Sequence, residues 1–253
     1  MRDLSETVLS NLDQGIRTIT LNRPDRLNAM NVELVSTLAD RFAEANADPE
    51  TRVIIFTGAG RAFCAGDDLK ERRHPATAEE AQQSIEEIQR VTHGIFAGDK
   101  FVVGAINGWA VGGGFEWAIN CDLPIWAESA KGFFPEMYWG AFVTGGVTAI
   151  LPRIVGLTRA KEMILLGDKY TAHELLEAGL AWRVVADDRL LDEARAVAAR
   201  IAALPQRSVI DLKRVMNKAA FSDVDTAQAL ETEATVRAFL DPETTERIAG
   251  FEK

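Results

Sequence analysis

Apolar residues along the chain fall first into short runs and alternations, and only later at helical spacing. Residues 16–23 (IRTITLNR) alternate Ile16, Thr18 and Thr20 with their neighbours, as a strand does, and Pro24 closes the strand. From residue 32, Leu34, Leu38, Phe42 and Ala45 recur at helical spacing, with Asn31 placed to cap the helix. RVIIFTGAG (52–60) predicts a short buried strand ending in glycines. Residues 77–98 then predict a helix with Thr77 and Glu80 in capping-box spacing and Ile85, Ile88 and Ile95 on one stripe. FVVGAIN (101–107) is another buried strand, followed by a glycine run and its helix. DLPIWAE (122–128) and KGFFP (131–135) predict two more strands.

The character changes from about residue 157. Residues 171–185 predict a helix with a Thr171/Glu174 capping box and then a short strand. Segments 187–204, 208–221 and 226–240 are alanine-rich amphipathic helices. Strand-rich repeats followed by helices predict a mixed α/β core with a helical C-terminal part. The strands are mostly continuous apolar runs, as in sheets covered on both faces. No composition break marks a linker.

The 253 residues, 47% hydrophobic and 26% charged, are enough for a sizeable core. No apolar run reaches the roughly 18–20 residues of a membrane span, and the N-terminal residues lack a secretory apolar stretch, so a cytoplasmic protein is expected. Cys64 and Cys121 lie far apart and read as buried thiols rather than a disulfide. A net charge of −10 without long Lys/Arg runs disfavours nonspecific nucleic-acid binding. His74, His93 and His173 lack metal-ligand spacing, so no metal site is expected. VIIFTGAGRAF places Gly58 and Gly60 after a strand. Phe63 occupies the third position of a dinucleotide fingerprint, and no helix follows, so nicotinamide and flavin are not expected.

Four segments carry the chemistry: LNRPDRLNAMN (21–31), FCAGDDLKE (63–71), GWAVGGGFEWAINCD (108–122) and FFPEMYWG (133–140). The glycine preceding Asp67 and Asp68 offers backbone donors and a capping carboxylate at the start of a helix. Three glycines precede Glu116, where bare backbone leaves room for a ligand. In this order and spacing the four segments resemble the enoyl-CoA hydratase/isomerase (crotonase) superfamily, over nearly the whole chain. The resemblance implies an α/β fold built as a spiral of ββα units over residues 1–190, with a helical trimerisation region over 191–253. It implies an acyl-CoA substrate whose thioester becomes enolate-like, and a homotrimer or a dimer of trimers.

Carried over residue by residue, the resemblance puts the two amide donors at Asp67 and Gly113. Catalytic carboxyls fall on Glu116 and Glu136. Substrate contacts fall on Asp25, Arg26, Leu27, Ala65, Asp68, Leu69, Gly112 and Trp139, and Lys253 is a candidate basic contact from a neighbouring subunit. Fixed donors at a helix N-terminus stabilise a developing oxyanion, and two carboxyls converging on one water orient it and share its protons. The implied activity is reversible syn addition of water to a trans-2-enoyl-CoA. No cofactor is needed beyond the coenzyme A of the substrate. Isomerisation and hydroxycinnamoyl-CoA hydration with cleavage are the alternatives. Two departures stand out. Asp67 occupies a position that family members mostly give to a small or apolar residue. NGWAVGGGF and PEMYWG are similar to the hydroxycinnamoyl-CoA hydratase-lyases, although those carry serine where this chain has Glu116. Trp109, Tyr138, Trp139 and Phe142 are candidates for lining a bulky or aromatic acyl pocket, or for core packing.

Overall fold

A computed structural model describes residues 6–71 and 77–221. An antiparallel pair, β1 (Val8–Asp13) and β2 (Ile16–Leu21), opens the chain, and Gln14 and Gly15, both at positive φ, make the turn between them. Helix α1 (Val32–Ala47) starts where Asn31 accepts a hydrogen bond from the Leu34 amide, and it buries Leu34, Leu38, Phe42 and Ala45. A strand–strand–helix unit then repeats: β3 (Val53–Gly58), β4 (Ala62–Cys64) and α2 (Ala78–Thr92), followed by β5 (Phe101–Ile106), β6 (Trp109–Val111) and α3 (Gly113–Asn120). Next come β7 (Leu123–Ala127), β8 (Lys131–Phe133), α4 (Val147–Val155) and α5 (Leu157–Leu166). Last are β9 (Tyr170–Thr171), α6 (Ala172–Glu177), β10 (Arg183–Val185), α7 (Leu190–Ala202) and α8 (Gln206–Ala219).

The first strand of each unit joins a six-stranded sheet of order β1-β2-β3-β5-β7-β10, parallel except for β1. The second joins a four-stranded sheet of order β4-β6-β8-β9, in which only β9 runs antiparallel. The ββα spiral therefore alternates between two sheets. Helix α3 lies against both. Phe115 packs edge-on to Trp126 of β7, and Trp117 lies 6.4 Å from Phe56 of β3. Gly114 sits so close to β4 that a Cβ there would stand 2.4 Å from the Cys64 carbonyl. Each of these fully buried aromatic side chains contributes roughly 1.5–3 kcal/mol by leaving water, a scale that fixes α3 firmly between the sheets.

Helix α7 packs on β3 and β5 of the large sheet, so the helical region that begins near residue 191 continues the core. The predicted helix at 226–240 and Lys253 lie outside the described residues. The helix expected directly after Asp67 is a turn through residues 69–71. Asp68 Oδ1 accepts from the amides of Lys70 and Glu71, so its capping role is present without a helix. The helix predicted over 77–98 keeps its Thr77 cap but changes at His93 into a π-helical turn through Ala97, where Gly94 backs onto Phe42. Both cysteines are buried free thiols, and burial pushes Cys64 up to about 12.

Candidate active site

The segment after β2 is a scaffold before it is a site. Leu27 and Asn28 take positive φ, and the buried Asn28 side chain donates to the carbonyls of Ala59 and Ala62. This turn presents residues 27–30 to the loop after β4. Ala65 donates to the Leu27 carbonyl, Met30 donates to the Gly66 carbonyl at 2.7 Å, and Asp68 donates to the Met30 carbonyl at 2.9 Å. Met30 and Asp67 thus form a parallel bridge. In such a bridge the residue enclosed by the two bonds turns its own N–H to the opposite side. Gly66 holds φ at +81°, and a Cβ there would meet the Val111 carbonyl at 2.9 Å.

Each glycine of the 112–114 run answers to a different neighbour. Gly112 has φ 54° and ψ −125°, a conformation essentially closed to other residues, and a Cβ there would stand 2.7 Å from Glu136 Oε1. Gly113 is the first residue of α3, where an amide has no acceptor inside the helix, and among the described residues only the flexible end of Met30 comes near where a Cβ would stand. Gly114 is held against β4 as described above.

A cavity of about 1510 Å³ gathers Ala65, Gly66, Asp67, Leu69, Gly112, Gly113, Glu116, Glu136 and Trp139. Glu116 is buried in the first turn of α3. Its Oε2 accepts from the Gly145 amide at 2.5 Å, and its Oε1 accepts from the Thr144 amide at 3.0 Å. Burial pushes this carboxyl up, the two amides pull it back, and the charge of Asp67 pushes it up again. Glu136 opens a 3₁₀ turn through Trp139. Its Oε2 is buried without a hydrogen-bond partner among the described residues. Burial, reinforced by the charges of Glu116 and Asp67, pushes Glu136 up to about 7. The Asp67 side chain therefore acts on both glutamates from the cavity it helps to line.

Asp25, Arg26, Leu27 and Asp68 do not line this cavity. Asp68 is a buried strut, 3.1 Å from Arg23, which also binds Glu71 at 2.9 Å and the Ala29 carbonyl. Arg26 is exposed at the rim, 3.6 Å from Glu71. Sequence reading overlooked Arg23, Thr144 and Gly145, whose partners are distant in the chain. Tyr138, Trp139 and Phe142 line the cavity mouth, whereas Trp109 packs edge-on to Phe133, with Lys131 and Lys169 near its ring. Beyond the C-terminal end of α3, Asp122 accepts from the Val102 amide and from Lys213 of α8 at 2.7 Å. The buried Lys213 ammonium also donates to the carbonyls of Ile95 and Lys100.

The arrangement pairs a main-chain donor at the start of a buried helix, and the Asp67 loop beside it, with one carboxyl fixed by amides and one that holds its proton near neutrality. It can stabilise an oxyanion and move protons beside it. A family described as Enoyl-CoA hydratase/isomerase matches residues 11–251. The 1,2-epoxyphenylacetyl-CoA isomerase of Escherichia coli is 34% identical over 98% of this chain and 96% of its own. The crotonyl-CoA hydratase of Syntrophomonas wolfei is 32% identical over 97% and 95%. The crystal structure of an enoyl-CoA hydratase from Bacillus anthracis superposes with a TM-score of 0.92 at 31% identity, covering 97% of this chain and 96% of that one.

Proposed function

Because the chain belongs to the enoyl-CoA hydratase/isomerase family and is an enzyme of the crotonase type acting on acyl-CoA, we propose that it hydrates trans-2-enoyl-CoA thioesters reversibly. The observation that carries this reading is the pairing in one cavity of Glu116, fixed by two amides, with Glu136, whose Oε2 has no partner among the described residues and whose proton is retained to about 7.

In the proposed reaction the thioester carbonyl lies against the amides of Asp67 and Gly113, and Glu116 orients a water and takes its proton. The oxygen of that water bonds to Cβ, and the π electrons move onto the thioester oxygen, where the two amides and the α3 dipole stabilise the charge. Glu136 gives its proton to Cα on the same face, which makes the addition syn. Transfer of the proton from Glu116 to Glu136 restores the starting state, and water has been split between Cβ and Cα with no other reagent. Losing one oxyanion donor costs roughly 100- to 1,000-fold in rate, and losing an acid–base group roughly 100- to 10,000-fold.

A second reading, double-bond isomerisation, is favoured by one feature. Glu116 is tied down while Glu136 Oε2 has no partner among the described residues, so a single carboxyl is placed to move a proton between carbons. Incubation with crotonyl-CoA, feruloyl-CoA and a trans-3-enoyl-CoA, followed at the conjugated-thioester absorbance and by product mass, separates hydration, cleavage and isomerisation. Absence of an added water on every enoyl ester rejects the hydratase reading. The proposed assembly is a homotrimer or dimer of trimers, supported by the exposed Leu157, Leu165 and Leu166 of α5.

A further inference from the structure

Glu116 and Asn120 lie one helical turn apart on α3, and both are almost wholly buried, at 1% and 2% exposure. They grip the same residue from either side. Glu116 Oε2 accepts the Gly145 N–H at 2.5 Å, and Asn120 Nδ2 donates to the Gly145 carbonyl at 2.8 Å. The Gly145 main chain is thus bonded at both its polar groups by two side chains of one helix. No side chain fits at 145, since a Cβ would stand 2.5 Å from Glu116 Oε2. Gly146, at φ +75°, is the N-cap of α4, so the loop that meets Glu116 is also the entry to that helix.

We propose that Asn120 is a positioning residue for Glu116, acting through the main chain of Gly145. Glu116 needs its carboxylate held in one orientation toward the substrate, and the hydrogen bonds that hold it come from a glycine-rich loop with little stiffness of its own. The Asn120 amide supplies the missing constraint by fixing the far side of Gly145. Only its NH₂ can make this contact, because the reverse orientation would put two oxygens 2.8 Å apart. Its Oδ1 is buried without a hydrogen-bond partner among the described residues. An orphaned buried polar atom carries a desolvation penalty that an apolar residue at 120 would avoid. The donor is therefore what the asparagine contributes. This assignment rests on the hydratase reading for its catalytic meaning, while the clamp itself is a property of the fold.

The test separates the two. Glutamate side chains labelled with ¹³C, with Glu116→Gln assigning the signal, report the titration of Glu116 without any turnover assay. Asn120→Leu keeps the volume and removes the donor. Glu116 is expected to titrate at higher pH than in the unsubstituted protein, since a loosened Gly145 amide stabilises the carboxylate less. Turnover of an enoyl-CoA is expected to fall about 10- to 100-fold, with KM little changed. Asn120→Ser, the milder variant, is expected to move both readouts the same way by less. In the unsubstituted protein the Gly145 amide is expected to exchange slowly with solvent. A Glu116 titration unmoved in a folded variant, or a Gly145 amide exchanging like an exposed loop, overturns the proposal. A shifted titration in a protein that hydrates no enoyl-CoA upholds the clamp and rejects hydration instead.

Discussion

Replacing Glu136 by Gln removes one ionisation and almost no volume, and it should separate catalysis from stability in opposite directions. Its carboxyl ionises at about 7, because burial and the neighbouring charges of Glu116 and Asp67 disfavour the anion. In the unfolded chain the same group ionises near 4.3. The folded state therefore holds the proton more tightly, and stability falls as pH rises from the unfolded value through the folded one. At about 1.4 kcal/mol per tenfold, the full penalty above pH 7 is roughly 4 kcal/mol, which solvent access to the half-buried side chain reduces to about 2. Glutamine carries no such penalty. Glu136→Gln should accordingly be more stable than the unsubstituted protein at pH 8, and its advantage should shrink by about 1 kcal/mol at pH 6. Turnover should fall at least about 100-fold, with CoA-ester binding nearly intact. Urea unfolding at both pH values and fixed protein concentration, beside steady-state kinetics, measures the two effects. A variant with the same stability gain at pH 6 and pH 8 refutes the electrostatic account, and an unchanged rate removes Glu136 from the mechanism.

Gly112→Ala forces an L-residue into φ 54° and puts a methyl group 2.7 Å from Glu136 Oε1. A loss of about 1–3 kcal/mol in unfolding free energy and at least about 100-fold in rate is expected, and wild-type kinetics would show that the close approach is not functional. Asp67→Asn removes a charge that raises both glutamates, so the carboxyl limb of the pH–rate profile should move to lower pH; an unmoved limb would count against their coupling. Lys213→Met strands the buried Asp122 carboxylate and two carbonyls. It should lower unfolding free energy by about 3–5 kcal/mol in urea titrations, and a change below about 1 kcal/mol would contradict the burial of that pair.

Elements with their own caps were legible in the chain. Asn31 and Thr171 mark α1 and α6, and each cap bond is present. The ladder of apolar strands marked β3, β5 and β7. The two-sheet spiral came from the resemblance to a family, because β4, β6 and β9 are only two or three residues long and carry no periodicity. Strand β1 was missed because VLSNLD is half polar at a sheet edge. Helix α4 was missed because Pro152 lies inside it, with glycines at both ends. Around the site, the resemblance to a family assigned Asp67, Gly113, Glu116 and Glu136, which the fold brings to one cavity. The roles of Arg23 and Gly145 depend on contacts with residues 25 or more positions away, which no window of sequence displays.

The ammonium of Lys213 ties the far end of α3 to α8, an element that follows it by 91 residues in the chain. A chain halted shortly after residue 204 would already contain every group assigned to chemistry, yet the helix presenting Gly113 and Glu116 would lack its anchor. Competence thus waits on α8, and partial products that stop before it should be poor catalysts despite carrying those reactive side chains.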